Sequence, residues 1–260
     1  MPALTPELKK EYDQLFNGCV IKPSMFATTD KAVAIIANGR QRYQSVANSI
    51  GVPWYFIGIV HQLEGASRFD RHLHNGDPLT ARTTHVPAAR PAKGSPPFTW
   101  EFSATDALMG QGLDKWKDWS LSGTLYQFER YNGFGYRVKG IHSPYLWSFS
   151  NQYDKGKFAA DGIYDPDLVS KQCGAAVLLR RMSEQQIAIM GELDTVSKIK
   201  VLASTVKYAP AKVDAKAKEL QTVLNSIGLT VRIDGKAGQR TSDAVFSITG
   251  KRLQGDPRPK

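Results

Sequence analysis

The sequence predicts a mainly α protein whose larger domain contains a small β element and whose C-terminal end forms a small helical module. Apolar residues recur at helical spacing over most of residues 1–203. Turn-forming residues and prolines interrupt this pattern between residues 65 and 98. A short basic segment of small side chains, residues 204–215, precedes a second helical pattern. We therefore predict two domains, residues 1–203 and 216–260, joined by a linker at 204–215.

The first helices of the larger domain have recognisable start signals or apolar faces. Thr5 is a candidate N-cap, with Pro6 at the first helical position. A second helix is predicted from Asp30 to Gly51. A third begins at Pro53 and is apolar nearly all round, which is typical of a buried central helix.

The segment after this central helix is predicted to hold the β element. Residues 72–83, HLHNGDPLTART, combine turn residues with short polar runs, which indicates an irregular β-hairpin. Four prolines within residues 85–98 exclude a regular helix and indicate a long surface loop. Helical patterns return at residues 103–109, 122–131, 143–153 and 167–190.

Composition excludes several classes of protein. The chain has 260 residues, 42% of them hydrophobic, and a formal net charge of +10 that favours polyanionic partners. Its longest apolar stretch, residues 52–60, is about half of the roughly 20 residues that a bilayer span requires, so no transmembrane segment is predicted. The N-terminal residues lack the pattern of a signal peptide, which predicts folding in a cytoplasm. Cys19 and Cys173 have no CxxC spacing and are predicted to be reduced, buried thiols.

Glu64 is the first candidate catalytic residue. It follows the apolar central helix, where the helix dipole does not favour a carboxylate and aromatic neighbours remove hydration. Both effects raise a carboxyl pKa, and glycoside hydrolysis needs such an acid beside a second, ionised carboxylate. The alternative is that Glu64 only marks where the buried helix reaches solvent.

Glu64, Asp77 and Thr83 together resemble the Glu/Asp/Thr triad of phage lysozymes and endolysins. The Asp-x5-Thr spacing agrees with that family, whereas Glu64-x12-Asp77 is longer than its Glu-x8-Asp. The resemblance implies an α+β lysozyme-like fold in which Asp77 orients or activates water and Thr83 helps place it. The longer spacing requires an insertion in the hairpin, or Asp70 as the second acid.

YNGFGYR, residues 131–137, is similar to a motif of goose-type lysozymes and soluble lytic transglycosylases. This resemblance implies that Tyr131 and Asn132 face the catalytic acid and help hold the sugar. A helix C-cap at Gly133 explains the same residues and is compatible with that role. Tyr145, Asn151 and His74 are further candidates for sugar contacts, although aromatic residues at helical spacing are more often part of a core.

A metal site is the main competing interpretation. His61, His72, His74 and Asp77 are ligand types that suit catalytic zinc, as in peptidases that cut cell-wall stem peptides. Their spacing matches no known zinc motif, and the second histidine of HExxH is missing. We predict that these histidines hydrogen-bond the hairpin and carboxylates, and that the enzyme needs no cofactor. No nucleophile elbow, P-loop or dinucleotide motif is present.

The C-terminal residues 220–248 are similar to the small three-helix peptidoglycan-binding module of wall hydrolases. The matching positions are Leu220, Gln221, Leu224, Asn225, Gly228, Asp234, Gly235, Gly238, Thr241, Ala244 and Val245. Most of these residues are expected to fold the module, and Gln221 and Arg240 are the candidates for wall contact. Residues 195–260 contain 13 lysines and arginines against five acidic residues, so anionic envelope polymers are further candidate ligands.

These features together predict a monomeric peptidoglycan hydrolase that cleaves the bond between MurNAc and GlcNAc with Glu64 as general acid. Three alternatives stay open: a lytic transglycosylase that uses Glu64 alone, a zinc-dependent wall peptidase, and a non-catalytic basic protein that binds wall or nucleic acid. No specific nucleic acid partner is expected. The absence of a signal peptide in a wall hydrolase implies a phage-type endolysin that accumulates in the host cytoplasm and reaches the wall after the membrane is breached.

Overall fold

The computed structural model describes residues 2–160, 162–185, 187, 195–226 and 229–258. It separates the chain into two compact units, Met1–Ile189 and Met190–Lys260. Helices dominate both units and a two-stranded sheet is the regular β element of the described chain, which confirms the mainly α prediction. No helix in the described part of the chain combines the length and apolarity that crossing a membrane requires.

The helices of the first unit come in two groups, one on each side of the proline-rich loop. Before the loop lie α1 (Pro6–Asn17), α2 (Phe26–Asn38), α3 (Arg40–Ile50) and α4 (Trp54–Gly65). After it lie α5 (Trp100–Gly110), α6 (Leu121–Asn132), α7 (Gly135–Val138), α8 (Pro144–Trp147) and α9 (Ala175–Glu184). The strands β1 (Lys157–Ala160) and β2 (Ile163–Asp165) pair in antiparallel fashion between α8 and α9.

Helix α4 is the centre of this unit, as its sequence predicts. Residues 54–61 are all buried, and the helix packs against α2, α3, α6 and α9. The close approach depends on Gly58, because a Cβ there would lie 2.7 Å from a methyl group of Ile36. Burial of this apolar segment contributes most of what holds the helix in place, since each buried large side chain is worth about 1.5 to 3 kcal/mol.

Helix boundaries agree with the sequence where the signals are local. The Thr5 side chain accepts a hydrogen bond from the Leu8 amide at 3.3 Å, and Pro6 begins α1, as predicted. The helix predicted over residues 30–51 is interrupted at Gly39. A Cβ on that residue would lie 2.6 Å from the Tyr43 ring, so the interruption also allows close packing.

Several predicted elements differ from the structure. The helix expected over residues 143–153 is the short α8, and the one expected over 167–190 begins only at Ala175. The C-terminal end predicted for this second helix, near residue 190, lies partly outside the described residues.

The hairpin predicted at residues 72–83 is wrong. This segment holds a single antiparallel bridge, between Arg71 and Pro78, and the two-stranded sheet lies at residues 157–165 instead. The physical reason is that the segment uses its hydrogen bonds in turns: the Gly76 amide donates to the His72 carbonyl at 2.9 Å, and the Asp77 amide donates to Asn75 Oδ1 at 3.0 Å.

The second unit contains α10 (Thr195–Thr205), α11 (Ala215–Ser226) and α12 (Gln239–Thr249). Their buried core includes Ile199 and Leu202 from α10 beside Leu220 and Leu224 from α11. The chain therefore divides before α10 and not at the predicted linker of residues 204–215. Small side chains in that segment reflect close contacts within the second unit, such as the bridge of Ala209 with Ala237.

Candidate active site

Glu64 lies at the C-terminal end of α4, directly after the buried part of that helix. Its carboxylate oxygen Oε1 accepts a hydrogen bond from the Tyr145 hydroxyl at 2.8 Å. Glu64 keeps access to solvent, yet the protein around it removes hydration and so raises the pKa of its carboxyl group. The Tyr145 hydroxyl opposes this shift, because it stabilises the ionised form.

Two tyrosines share the environment of Glu64. Burial raises the pKa of Tyr145 well above its ordinary value, and the nearby charge of Glu64 raises it further. Burial and the same charge raise the pKa of Tyr131, which lies in the last turn of α6. The fold thus brings together one residue each from α4, α6 and α8, and both tyrosines remain neutral donors at ordinary pH.

The arrangement suits proton donation to a bound substrate. A carboxyl group with a raised pKa keeps its proton nearer to neutral pH, which a general acid requires. Tyr145 holds Oε1, so the protein fixes one oxygen of the exposed Glu64 carboxyl group.

The backbone directly after Glu64 is strained. Ala66 and Ser67 have left-handed φ angles of 47° and 56°, a conformation that costs roughly 1 to 2 kcal/mol for a residue with a Cβ. The Ser67 hydroxyl donates to Gln62 Oε1 at 2.8 Å, and its amide donates to the His61 carbonyl at 3.2 Å. These contacts hold the sharp end of α4 and with it the Glu64 backbone.

Gln172 is a neighbour of the site that the sequence analysis missed. Its Nε2 donates to the carbonyl of Leu63 at 2.6 Å, which fastens the segment before α9 to the end of α4. The sequence gives only a general indication of this contact, because the last carbonyls of any helix lack partners within the helix and need donors from elsewhere. Which residue supplies the partner depends on a contact more than 100 positions away in the chain.

Asp77, which the sequence analysis pairs with Glu64, makes its hydrogen bonds within its own loop. Its Oδ2 accepts hydrogen bonds from the amides of Thr84 and His85 at 2.7 and 3.1 Å, and its Oδ1 lies 2.6 Å from His85 Nδ1. The His85 side chain first, and then these amides, lower the pKa of Asp77 well below its usual range. Its contacts organise residues 75–85, and no described contact links it to Glu64.

The other partners proposed for Glu64 are also used elsewhere. Thr83 is 3% exposed, donates to the Pro87 carbonyl at 2.5 Å and accepts from the Arg90 amide at 2.9 Å. Its hydroxyl therefore closes the proline-rich loop and is not available to place water. Asp70 is exposed and forms a two-bond contact with Arg68 at 3.2 and 2.7 Å.

The histidines of this region have structural partners, in line with the predicted scaffold role. His61 lies between the Tyr43 hydroxyl at 3.1 Å and the Arg68 carbonyl at 3.2 Å, and burial lowers its pKa to about 4. His72 contacts the Ser103 hydroxyl at 2.6 Å. The described residues contain no group of three or more metal-ligating side chains placed to hold an ion.

Two of the expected sugar contacts have structural partners, and a third is exposed beside Tyr131. The His74 side chain is 3% exposed and pairs with Asp106 at 2.9 Å. Asn151 accepts from the Val20 amide at 2.8 Å and donates to the Gly18 carbonyl at 3.0 Å, so it closes the loop after α1. Asn132 is exposed beside Tyr131 and remains a candidate for substrate contact.

In the second unit, one of the two expected wall-binding residues is buried and the other is exposed. Gln221 is 1% exposed, and its amide accepts from the backbone of Asp234 and Gly235 while donating to Thr241. It therefore builds the core of the unit. Arg240 is exposed and remains a candidate for ligand contact.

Comparison of the chain with protein-family models, curated proteins and solved structures gives no match.

Proposed function

We propose that the first unit cleaves a glycosidic bond in the glycan strands of bacterial peptidoglycan, with Glu64 as its only catalytic carboxylate. The observation that carries this proposal is the hydrogen bond of the Tyr145 hydroxyl to the exposed Glu64 side chain, whose pKa the neighbouring protein atoms raise. The lysozyme-like resemblance of Glu64 and of residues 131–137 supports a β-1,4-linked glycan as the substrate class. The module-like sequence of the second unit supports peptidoglycan as its source.

The proposed reaction is intramolecular, as in a lytic transglycosylase, because Asp77, Thr83 and Asp70 have other partners. Glu64 gives its proton to the glycosidic oxygen, and the bond from C1 of MurNAc to that oxygen breaks. The ionised Glu64 then takes the proton of the C6 hydroxyl while the C6 oxygen bonds to C1. No water is consumed, and the product is the 1,6-anhydro sugar.

Tyr145 and Tyr131 have supporting roles in this scheme. Tyr145 donates to Glu64 and so stabilises the carboxylate that exists after the first proton transfer. Tyr131 and the exposed Asn132 end α6 beside this group, where an aromatic ring and an amide can contact sugar rings and hydroxyls. Neither tyrosine is expected to exchange its own proton, because burial raises the pKa of both.

The test is analysis of the products formed from purified peptidoglycan. We expect the wild-type protein to release fragments with anhydro ends and Glu64→Gln to lose about 100- to 10,000-fold in rate, which is the usual contribution of a general acid. Glu7→Gln, an exposed glutamate in the first turn of α1, is the matched control and should retain full activity.

Three outcomes would contradict parts of the proposal. Retained activity in Glu64→Gln would refute the role of Glu64. Fragments with reducing ends would refute the intramolecular route while keeping Glu64 as the acid, and would indicate hydrolysis. Release of free amino groups, with no change in the glycan, would indicate a peptidase.

A further inference from the structure

The second unit presents a surface that its fold does not explain. This surface, the loop face, consists of residues 209–216 and 232–240. The Ala209 amide donates to the Ala237 carbonyl at 2.9 Å, and the Asp214 amide donates to the Gly235 carbonyl at 2.9 Å. The two segments therefore lie side by side and are held together by their backbones.

The contact between these segments is close. Gly235 has a φ of 75°, and a Cβ there would lie 3.0 Å from the carbonyl oxygen of Asp214 and 3.0 Å from the Val213 side chain. The side chain of buried Gln221 fixes the same turn, because its Oε1 accepts hydrogen bonds from the amides of Asp234 and Gly235 at 3.1 and 2.8 Å. The side chains of the loop face are thus carried by an ordered backbone.

The loop face is strongly basic. Its exposed positive residues are Lys212, Lys216, Arg232, Lys236 and Arg240. Its two acidic residues both take part in the fold.

Asp214 accepts from the Ala217 amide at 3.0 Å, and Asp234 accepts from the Lys236 amide at 2.9 Å. Arg232 approaches Asp234 no closer than 3.9 Å and its side chain is 88% exposed. Positive charge therefore exceeds negative charge on this surface.

Other acidic residues of the unit do not reduce this charge, because they pair with basic residues outside the loop face. Asp243 lies 2.8 Å from Arg258 and also pairs with Arg252, while Asp256 lies 2.6 Å from Arg258. Glu219 lies 3.3 Å from Lys198. Arg240 stands in the first turn of α12, where the helix dipole disfavours a positive side chain, so helix stability does not explain its position.

Two exposed aliphatic side chains interrupt the basic residues. Val213 is 64% exposed and Ile233 is 43% exposed, one on each segment of the loop face. The two segments contain no aromatic residue on which a base could stack. A soluble polyanion would use the positive charges but would gain nothing from exposed valine and isoleucine. Basic residues beside exposed aliphatic ones suit a lipid surface, where phosphates lie above acyl chains.

We propose that the loop face binds the surface of an anionic phospholipid bilayer. The five basic side chains contact headgroup phosphates, and Val213 and Ile233 enter the boundary between headgroups and acyl chains. This binding goes beyond glycan cleavage and does not require Glu64. It would hold the protein at a membrane that borders its wall substrate.

The experiment is co-sedimentation of the full-length protein with lipid vesicles in the absence of peptidoglycan. We expect binding to phosphatidylcholine vesicles that contain phosphatidylglycerol, weaker binding at high salt, and no binding to phosphatidylcholine alone. The variant Lys212→Gln/Lys236→Gln should bind about 30-fold more weakly, which is the loss expected for two charges worth about 1 kcal/mol each. The matched control is Lys207→Gln/Lys251→Gln, which removes the same charge at two exposed lysines outside the loop face and should bind more tightly than Lys212→Gln/Lys236→Gln, because neither residue belongs to the surface that contacts the headgroups.

A second pair of variants separates lipid from other polyanions. Val213→Ser/Ile233→Ser should weaken vesicle binding and leave binding to soluble inorganic polyphosphate unchanged, since only a bilayer offers an apolar layer. Thermal unfolding of each variant checks that the second unit remains folded.

Equal binding of the serine variant and wild type to vesicles would overturn the lipid assignment in favour of a soluble polyanion. Equal losses in the two lysine variants would overturn the loop face as the site. Because no glycan is present, neither result depends on the proposed catalytic role of Glu64.

Discussion

Removal of the Tyr145 hydroxyl tests the candidate site directly. In Tyr145→Phe the ring stays and the hydrogen bond to Glu64 Oε1 is lost. Burial raises the pKa of Glu64 and Tyr145 opposes that shift, so the variant should have a still higher Glu64 pKa. A general acid acts in its protonated form. The alkaline limb of the rate profile should therefore move to higher pH.

The size of the shift follows from the strength of the lost bond. A hydrogen bond to a charged group contributes about 1.5 to 3 kcal/mol, and 1.36 kcal/mol corresponds to one pKa unit. Glu64 keeps access to solvent, so water replaces part of the lost interaction and about one pH unit is the expected shift. The maximum rate should fall about tenfold, because the carboxylate left after proton transfer is less well stabilised.

The assay is the rate of peptidoglycan cleavage as a function of pH, combined with thermal unfolding. Tyr126→Phe is a matched control, since its hydroxyl donates to the Pro2 carbonyl at 2.8 Å and not to Glu64. Both variants should lose about 1 kcal/mol of unfolding free energy, and only Tyr145→Phe should shift the profile. An alkaline limb that stays in place or moves to lower pH would show that Tyr145 does not stabilise ionised Glu64.

Two further predictions concern acidic residues outside the proposed chemistry. Asp77→Asn should lower the melting temperature near neutral pH and leave the anhydro product unchanged. Because the folded pKa of Asp77 is depressed, its stabilisation is present above its unfolded pKa and is lost as pH falls towards the folded value. Melting curves of wild type and variant should therefore converge in acid, and a change of product would return Asp77 to the catalytic site. Glu129→Gln should lower the free energy of unfolding by about 2 to 3 kcal/mol in denaturant titrations, because it leaves Arg137 without its buried partner at 2.7 Å. This loss is smaller than is usual for a broken buried ion pair, because Arg137 also contacts Glu11. A loss below about 0.5 kcal/mol would show that the pair of Glu129 and Arg137 contributes little to stability.

Much of the first unit is predictable because its signals are local. The apolar run before Glu64 predicts a buried helix and a raised carboxyl pKa at its end. The helix is buried, and the pKa of Glu64 is raised although its side chain is exposed. Tyr131 and Tyr145 were proposed as sugar contacts from a motif and from aromatic spacing. Their shared environment with Glu64 depends on how α4, α6 and α8 pack, which residue spacing does not determine.

Asp77 shows what sequence spacing leaves open. A carboxylate in a turn can face a cleft or bind the backbone of its own loop, and both choices give the same residue pattern. In this chain the amides of Thr84 and His85 take the carboxylate. The sheet at residues 157–165 lies between the helices predicted at residues 143–153 and 167–190, in a stretch for which the sequence predicts no element.

The left-handed conformation of Ala66 and Ser67 costs protein stability but helps to fix the position of the Glu64 carboxyl group. Glycine at Ala66 or Ser67 would adopt the same φ angles without the cost of a Cβ. It would also give the end of α4 more conformations, and the Glu64 carboxyl would be positioned less sharply. A change that relieves strain here therefore increases the stability of the folded protein and makes the orientation of the Glu64 carboxyl group less well defined. This is the trade-off expected where a catalytic group stands on a constrained backbone.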